Sequence, residues 1–462
     1  MQTELYFSKI GLREPLFANL VSLGYEEMTP IQAQSLPTLL KRIDVVAQAK
    51  TGSGKTFAFG LALLHHLDIK LYAVQALVLC PTRELAEQVS QSIRHLARLM
   101  PNIKVLNLSG GMPFNPQVDS LRHGAHIVVG TPGRIQKHLD NNSLSLKDIN
   151  TLILDEADRM LDMGFLNDIK RIVQCCPTTR QTLLFSATYP AEIEKLANQF
   201  MRLPQKIMIE ENTKLDINQR FFEVIHSSHK ISLLKNLLLH YKPTSTLVFC
   251  NTKEQTVQVS QQLKQHGFSA LMLNGDMEQM DRDLAMIQFG NKSCSILVAT
   301  DVAARGLDIK ELPMVINFDL AFDLDVYIHR IGRTGRAGHI GWAFSLTTPA
   351  DAERLCRIEE YLKEPLIWEN QDQLDKTNTA VLLPEMVTLC FSLGKKDKIR
   401  PGDILGALTK DAGLPGTSID KINITTFNSY VAIHKNHAEK ACRHFKNGKL
   451  KGRKVFVKKI EL

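Results

Sequence analysis

Runs of consecutive apolar residues, each about the length of a β-strand, recur through the first part of the chain: VVAQA (45–49), ALVLCPT (76–82), HIVVGTP (126–132), TLILDEAD (151–158) and QTLLFSAT (181–188). Most end in a polar or Gly-rich turn. This is the pattern of buried parallel strands that alternate with covering helices. The rhythm then restarts in TLVFCNT (246–252), SALMLNGD (269–276), SILVATD (295–301), MVINFDL (314–320) and GWAFSLT (341–347). Between the two sets lies the polar stretch IEENTKLDINQ (209–219). The pattern predicts two successive α/β domains, residues 1–208 and 220–369, joined by a linker at 209–219.

Beyond residue 369 the pattern changes. NQDQLDKTNTA (370–380) is polar and aperiodic, and reads as part of a tether over 370–382. Residues 383–462 then give strand-like MVTLCF, helix-like GDILGALTKDA, strand-like KINITTF and SYVAIH, helix-like HAEKACRHFKN and strand-like KVFVKKI. This βαββαβ order is that of many small RNA-binding domains, although the topology also serves other functions. The predicted fold class is α/β, with two tandem parallel-sheet domains followed by a small α+β domain.

Composition alters this picture in one region. With 44% apolar and 23% charged residues over 462 positions, the chain has the make-up of an ordinary globular protein of two or three domains. No apolar run approaches the roughly 18 residues that would span a bilayer. The N-terminus MQTELYFSKIGLRE has no basic region leading into an apolar one, which makes the cytosol the default expectation. Eight cysteines are scattered without a CxxC pair or a His at ligand spacing, so they are expected to be reduced thiols, mostly buried. The net charge of +8 is unevenly placed. Residues 383–462 hold sixteen Lys/Arg against seven Asp/Glu, a balance of +9, and the first 382 residues carry −1. Half of GKLKGRKVFVKK (448–459) is basic. Such a tail can be a solvated surface, a membrane-touching patch or a nucleic-acid footprint, and clustering on a folded segment favours the last.

The candidate chemistry starts at AKTGSGKT (49–56), which follows a strand and precedes the apolar helical stretch FAFGLALLHHL. Glycines there let backbone N–H groups turn inward around phosphate oxygens, and the helix N-terminus adds positive potential. Lys55 is placed to reach the β- and γ-phosphates and Thr56 to hold Mg²⁺. The remaining lining comes from Ala49, Thr51, Gly52, Ser53 and Gly54, with Ala49 standing where the generic pattern has Gly. A hundred residues on, Asp155 and Glu156 fall just past the apolar core of a strand. The pair suits Mg²⁺ binding through Asp155 and orientation of an attacking water through Glu156. In the second domain HRIGRTGR (329–336) carries three arginines at spacing three. Arg333 and Arg336 fit the role of arginine fingers, which ties nucleotide hydrolysis to interdomain closure.

Taken together, these motifs resemble those of the DEAD-box RNA helicases over roughly residues 7–365. The resemblance extends through GYEEMTPIQ (24–32), PTRELA (81–86), GG (110–111), TPGR (131–134), SAT (186–188), FCNT (249–252), Gln279 and Arg282, and TDVAARGLD (300–308), all in family order. It implies two RecA-like domains, ATP and Mg²⁺ as cofactors, and RNA as partner. Gln32 matches the residue that reads the base, Phe7 its upstream aromatic and Asp308 a ribose contact. Thr82, Arg83, Gly111, Thr131 and Arg134 on the first domain, with Gly275, Arg282 and Thr300 on the second, match positions that hold the RNA backbone. Ser186 and Thr188 match the element linking hydrolysis to strand separation. Asn274 departs from the family's usual His, with no catalytic consequence evident from sequence. The implied mechanism is closure by ATP and RNA together, local non-processive unwinding of a short duplex by bending one strand, and reopening after phosphate loss.

The segment 383–462 resembles the C-terminal RNA-recognition-motif-like domain of the DbpA-type bacterial helicases, including LGKKDKIRPGDILGAL (393–408) and GKLKGRKVFV. That resemblance implies docking on a 23S ribosomal RNA hairpin near the peptidyl transferase centre and a role on pre-50S particles during large-subunit assembly. An ordinary domain of this shape stacks bases on aromatics of its sheet. Here Tyr430 is one aromatic, and Thr388, Cys390 or Phe391 occupies the partner position depending on register. Binding is therefore expected to rest mainly on Lys395, Lys396, Lys398 and Arg400 together with Lys449, Lys451, Arg453 and Lys454. A catalytically weak ATP-dependent RNA clamp, a DNA helicase and a general RNA chaperone or degradation helicase are the competing readings. No sequence feature signals oligomerisation, and a monomer is the default.

Overall fold

The computed structural model describes residues 6–49, 52–189, 191–209, 217–304, 312–335, 340–374, 380–446 and 449–461. They form two compact units, one ending at residue 209 and the other beginning at residue 217. The first is built on seven parallel strands: β1 (Val45–Gln48), β2 (Ala76–Leu79), β3 (Val105–Leu108), β4 (Ile127–Gly130), β5 (Thr151–Leu154), β6 (Gln181–Ser186) and β7 (Gln205–Met208). Their order across the sheet is β3-β4-β2-β5-β6-β1-β7. The five interior strands are the five apolar runs of the sequence. The two that pattern reading misses are the edges, where a half-open position tolerates Asn107 in β3 and an almost wholly exposed QKIM in β7.

Successive side chains of each interior strand enter opposite cores. Val45, Ala47 and Val78 pack with Leu16, Ile31, Phe59 and Ile93 on one face. Val46, Leu77, Leu79 and Leu152 pack with Ile135, Ile169, Ile172 and Leu196 on the other. Both faces being dry, polar chemistry is confined to the strand ends.

The second unit begins with another parallel sheet: β8 (Ile217–Glu223), β9 (Thr246–Cys250), β10 (Ala270–Leu273), β11 (Ile296–Thr300), β12 (Met314–Asn317) and β13 (Gly341–Thr347), ordered β10-β11-β9-β12-β13-β8. Again the strand absent from the sequence reading, β8, is an edge. Its alternating INQRFFE begins inside the stretch expected to be linker at 209–219.

The C-terminal domain of this unit has β14 (Met386–Phe391), β15 (Ile419–Ile424), β16 (Ser429–His434), a two-stranded hairpin of β17 (Lys449–Leu450) and β18 (Arg453–Lys454), and β19 (Val457–Lys459). The main sheet is antiparallel in the order β15-β16-β14-β19. Leu389, Phe391, Val431 and Ile433 pack under the helices Pro401–Gly406 and Lys435–Phe445, with Phe391 edge-on to Phe445 at 5.2 Å between ring centres. This is the expected βαββαβ fold, with the small hairpin added.

The opposite sheet face carries Thr388, Cys390, Tyr430 and Ala432, and it is occupied. The helix Gln279–Gly290 of the second parallel-sheet domain, with the turn after it, meets this face. Asn291 Nδ2 donates to the Thr388 hydroxyl at 3.1 Å, Ser293 Oγ lies 2.7 Å from the same hydroxyl, and Asn423 Nδ2 donates to Asn291 Oδ1 at 3.0 Å. Asn291 and Thr388 are fully buried, so each of these bonds satisfies a group with no access to water. The expected tether also contributes to packing, because Leu374 lies in the core of the second parallel-sheet domain.

Among the described residues no helix is long and apolar enough to cross a membrane. All eight cysteines are free thiols, and Cys80, Cys176, Cys250, Cys294 and Cys390 are buried.

Thr388→Val removes the hydroxyl that Asn291 and Ser293 share. The expected result is a loss of about 1–3 kcal/mol, the usual cost of stranding a buried polar group. In urea unfolding it is read as a lower midpoint at unchanged slope.

Candidate functional site

The sheet order β5-β6-β1 places three strand ends side by side although they are far apart in sequence. β1 runs into Ala49, whose N–H donates to the Ser186 carbonyl at the end of β6 at 3.1 Å. The Ala49 methyl is buried in the core, while its carbonyl accepts from Lys55 Nζ at 2.7 Å. A side chain is thus accommodated where the generic loop has Gly. Lys55 opens the helix Lys55–His66 and is itself buried, with Thr56 half-buried beside it.

Gly54 precedes the helix at φ +99°, and a Cβ there would lie 2.5 Å from Gln32 Nε2. The left-handed φ favours Gly here, and Gln32 and Thr29 close against the turn. Gln32 sits at the third position of the helix Pro30–Leu39, accepts from the Thr29 N–H at 2.9 Å and donates to the Gly54 carbonyl at 3.2 Å. The residue matched to base reading therefore also fixes the end of the phosphate loop. Phe7, the upstream aromatic, is buried in the first core, and its N–H donates to the Glu26 carbonyl. Gly52 and Ser53 lie in the turn itself, whereas Thr51 is outside the described residues.

Asp155 and Glu156 follow β5 and are almost completely buried. Burial pushes the Asp155 carboxyl up to about 7, with Lys55 opposing the rise and Glu156 adding to it. Glu156 adopts φ +51°, a left-handed conformation that a non-Gly residue holds only when its surroundings impose it. Its carboxylate pairs with Arg159 at 2.9 Å.

Sequence reasoning missed Asp158. Its Oδ2 accepts from the N–H groups of Ala187 and Thr188 at 3.2 and 3.0 Å and from the Thr188 hydroxyl at 3.0 Å, and the Asp158 N–H approaches Ser186 Oγ at 3.4 Å. One carboxylate thus clamps the acidic turn to SAT.

A second group of strand ends, β2, β3 and β4, gathers residues matched to RNA contacts. Thr82 caps the helix Arg83–Leu96 by accepting from the Leu85 N–H. Arg83 lies over Gly110 and Gly111, where a Cβ on Gly111 would overlap its guanidinium. Thr131 precedes the helix Pro132–Asp140, and Arg134 on that helix donates to Met112 O at 3.0 Å and to Gln117 Oε1 at 2.8 Å. Burial and then the charge of Arg83 pull the Arg134 guanidinium below its ordinary value. Two neighbouring cations of this kind are relieved by an anion such as phosphate.

Gln117 is the hinge of this arrangement and was not legible in the sequence. Its amide donates to Ser109 O at 3.1 Å, and its carbonyl oxygen also meets His138 Nε2 at 3.0 Å. His138 is fully buried, with Nδ1 2.8 Å from Ser143 Oγ. Burial, followed by Arg134 and Lys137, pushes it down to about 4. In this network the neutral ring donates through Nε2 and accepts at Nδ1.

In the second unit the first arginine of HRIGRTGR serves the fold. Arg330 is fully buried and grips both Asp301 carboxylate oxygens at 2.7 Å, together with Asn251 Oδ1 at 2.8 Å and Asp319 O at 2.6 Å. It thereby ties together the ends of β9, β11 and β12. Arg333 follows and is mostly buried, Thr300 ends β11, and Arg282 Nη2 lies 3.5 Å from Ala303 O. Arg336 and Asp308 are outside the described residues. Asn274 holds a turn in place. It donates to Thr256 Oγ1 at 2.9 Å and accepts from the Asp276 N–H at 3.1 Å, which shapes the turn that presents Gly275.

At the C-terminal domain the structure joins the two basic clusters. Lys451 Nζ pairs with Asp403 at 2.8 Å and donates to Lys398 O at 3.1 Å, and Arg453 pairs with Asp397 at 2.7 Å. Lys451 and Arg453 are thus partly engaged in holding the hairpin. Lys395, Lys396, Lys398, Arg400, Lys449 and Lys454 are exposed along the same edge. Tyr430 is half-buried on the occupied sheet face, paired with Cys390, and the register puts Phe391 in the core. Among the described residues this face offers no open pair of aromatics, and Tyr430, expected as an RNA contact, lies half-buried on it.

Gln117→Leu is expected to raise the RNA concentration for half-maximal ATP turnover about tenfold, the equivalent of one charge-assisted hydrogen bond, while leaving maximal turnover within about twofold. His138 binds a proton more weakly in the folded chain than in the unfolded one. Its contribution is therefore present above the ordinary 6.5 and is lost as pH falls towards about 4. Thermal midpoints across that window should fall less steeply for His138→Asn than for the parent chain.

The chain matches the family descriptions "DEAD/DEAH box helicase" over residues 29–196, "Helicase conserved C-terminal domain" over 229–338 and "DbpA RNA binding domain" over 388–459. It is 49% identical over 457 residues to the ATP-dependent RNA helicase DbpA of Escherichia coli (strain K12), covering 98% of this chain and 99% of that protein. DbpA of Bacillus subtilis (strain 168) is 37% identical over 476 residues, with the same coverage of 98% and 99%. Among solved structures, S. cerevisiae Dbp5 bound to RNA and ADP BeF3 superposes with a TM-score of 0.73 at 28% identity, covering 81% of this chain and 98% of that one. Full-length similarity together with all three matches leads to one conclusion: the chain belongs to the DbpA family of bacterial DEAD-box ATP-dependent RNA helicases.

Proposed function

We propose that this RNA helicase is directed by its C-terminal domain to a hairpin of 23S ribosomal RNA near the peptidyl transferase centre, and acts on pre-50S particles during large-subunit assembly in the cytosol. The observation that carries this reading is the joined basic edge of residues 395–400 and 449–454, on a segment holding +9 while the remainder of the chain is near neutral. Sequence-blind backbone contacts by the helicase domains leave the address to this edge.

The proposed chemistry follows from the strand ends. Lys55 and the turn at Gly52, Ser53 and Gly54 bind the phosphates of ATP, and Glu156 orients the attacking water. Mg²⁺ would be held by Asp155 and Thr56, a hard-oxygen donor set, and when bound it supplies charge neutralisation at the β- and γ-phosphates. A nearly buried carboxylate pair beside Lys55 fits such a cation. Arg333 and Arg336 stabilise the charge that develops on the transferring phosphoryl group, so turnover requires domain closure. Thr82, Arg83, Gly111, Thr131 and Arg134, with Gly275, Arg282 and Thr300, hold the RNA backbone. Asp158 passes a change at the acidic turn to Ser186 and Thr188.

Steady-state ATP turnover with a 23S fragment containing the hairpin, compared with a base-scrambled fragment of equal length, tests the address. A strong preference for the hairpin is expected, and equal stimulation by both would refute it. Arg333→Ala is expected to lower RNA-stimulated turnover by about 10³-fold or more, with nucleotide binding retained by equilibrium titration.

A further inference from the structure

The C-terminal domain exposes two large aromatic rings at one end of its sheet. Phe427 is 61% exposed and Phe456 75% exposed. Single exposed apolar residues need no explanation, but these two are anchored to the same short segment. The Ser392 N–H donates to the Phe456 carbonyl at 3.0 Å, and the Phe456 N–H returns to Ser392 Oγ at 2.9 Å. Two residues on, Gly394 lies so close to the Phe427 backbone that a Cβ would stand 2.6 Å from its carbonyl carbon. The N–H groups of Lys395 and Lys396 then donate to the carbonyls of Thr425 and Thr426.

The strand register shows why the two segments reach the same end of the sheet. Phe391, at the end of β14, pairs with Ser429 at the start of β16 on one side and with Val457 at the start of β19 on the other. The segments carrying Phe427 and Phe456 therefore reach the same end of β14 from its two flanking strands, each about 5 Å away.

Their surroundings are cationic. Lys396 Nζ lies 4.3 Å from the Phe427 ring centre, and Lys395, Lys398 and Lys454 are exposed nearby in sequence. Exposed rings set among lysines suit a ligand that presents flat apolar faces and a negative backbone together. Unpaired nucleotides do so, and base stacking on an aromatic tolerates any sequence. The sheet face that would ordinarily supply such rings is covered through Thr388, Asn291 and Asn423.

We propose that Phe427 and Phe456 are stacking platforms for unpaired RNA bases, placed at the strand-end edge of the C-terminal domain beside its basic clusters. The inference rests on the reading of this domain as the RNA address, and adds that the address includes splayed bases as well as backbone charge.

The test uses the full chain, an RNA stem-loop with an unpaired loop, and a blunt RNA duplex of the same length. Phe427→Ala and Phe456→Ala are each expected to weaken stem-loop binding about tenfold, from 1–3 kcal/mol per stacked base. Duplex affinity and the salt slope of binding should stay unchanged, because phosphate contacts are untouched. Phe427→Trp should retain stem-loop affinity and show fluorescence quenching by the loop. If the alanine variants bind the stem-loop within twofold of the parent while paired substitution of Lys395 and Lys396 still weakens it, stacking is refuted and the basic address stands. If the lysine substitutions are also silent, both fall. Equal weakening towards stem-loop and duplex would overturn the stacking role in favour of general disruption of the edge.

Discussion

A parallel sheet covered on both faces can meet solvent only at the ends of its strands, and the functional geometry of this chain depends on that constraint. Every interior strand of the two parallel sheets is dry, with side chains alternating between two cores. Polar groups are therefore expelled to the turns that follow. Strand order then decides which turns meet. β5, β6 and β1 bring the acidic pair, SAT and the phosphate loop together, whereas β2, β3 and β4 gather the residues around Arg83 and Arg134.

The groups expelled to these ends still need partners, and the structure supplies them as multipoint clasps. Arg330 shares its guanidinium among an aspartate, an asparagine and a backbone carbonyl. Asp158 accepts from three donors of SAT, and Gln117 mediates between Ser109, Arg134 and His138. Breaking a buried charged pair on one side typically costs about 3–5 kcal/mol, so such clasps hold strand ends in one arrangement. Asp155 contrasts with them. It is buried, and desolvation pushes its carboxyl up to about 7 although Lys55 opposes the rise.

Much of this was legible in the sequence, and the gaps follow from the same physics. Interior strands announce themselves because both faces are apolar. The edge strands β3, β7 and β8 do not, since half of each is free to be polar. AKTGSGKT, the Asp155–Glu156 pair and HRIGRTGR stood out as candidates because close spacing suggests their chemistry. Gln117, His138 and Asp158 were not, because each acquires its role from a partner that only the tertiary fold brings near. Asn274 departs from the family pattern with no catalytic consequence evident from sequence, and its role in shaping the turn that presents Gly275 appears only in the fold. The C-terminal topology was readable from strand and helix order. The occupant of its sheet face was not, since Thr388 in a strand carries no mark of the neighbour it will meet.

That occupied face has a mechanical consequence. The buried bonds joining Thr388, Asn291, Ser293 and Asn423 fasten the C-terminal domain to the second parallel-sheet domain. The lysine-rich edge is thereby tied to the domain that carries Thr300 at the end of β11. On the function proposed above, such an attachment would act as a ruler between the RNA held for unwinding and the RNA bound for recruitment.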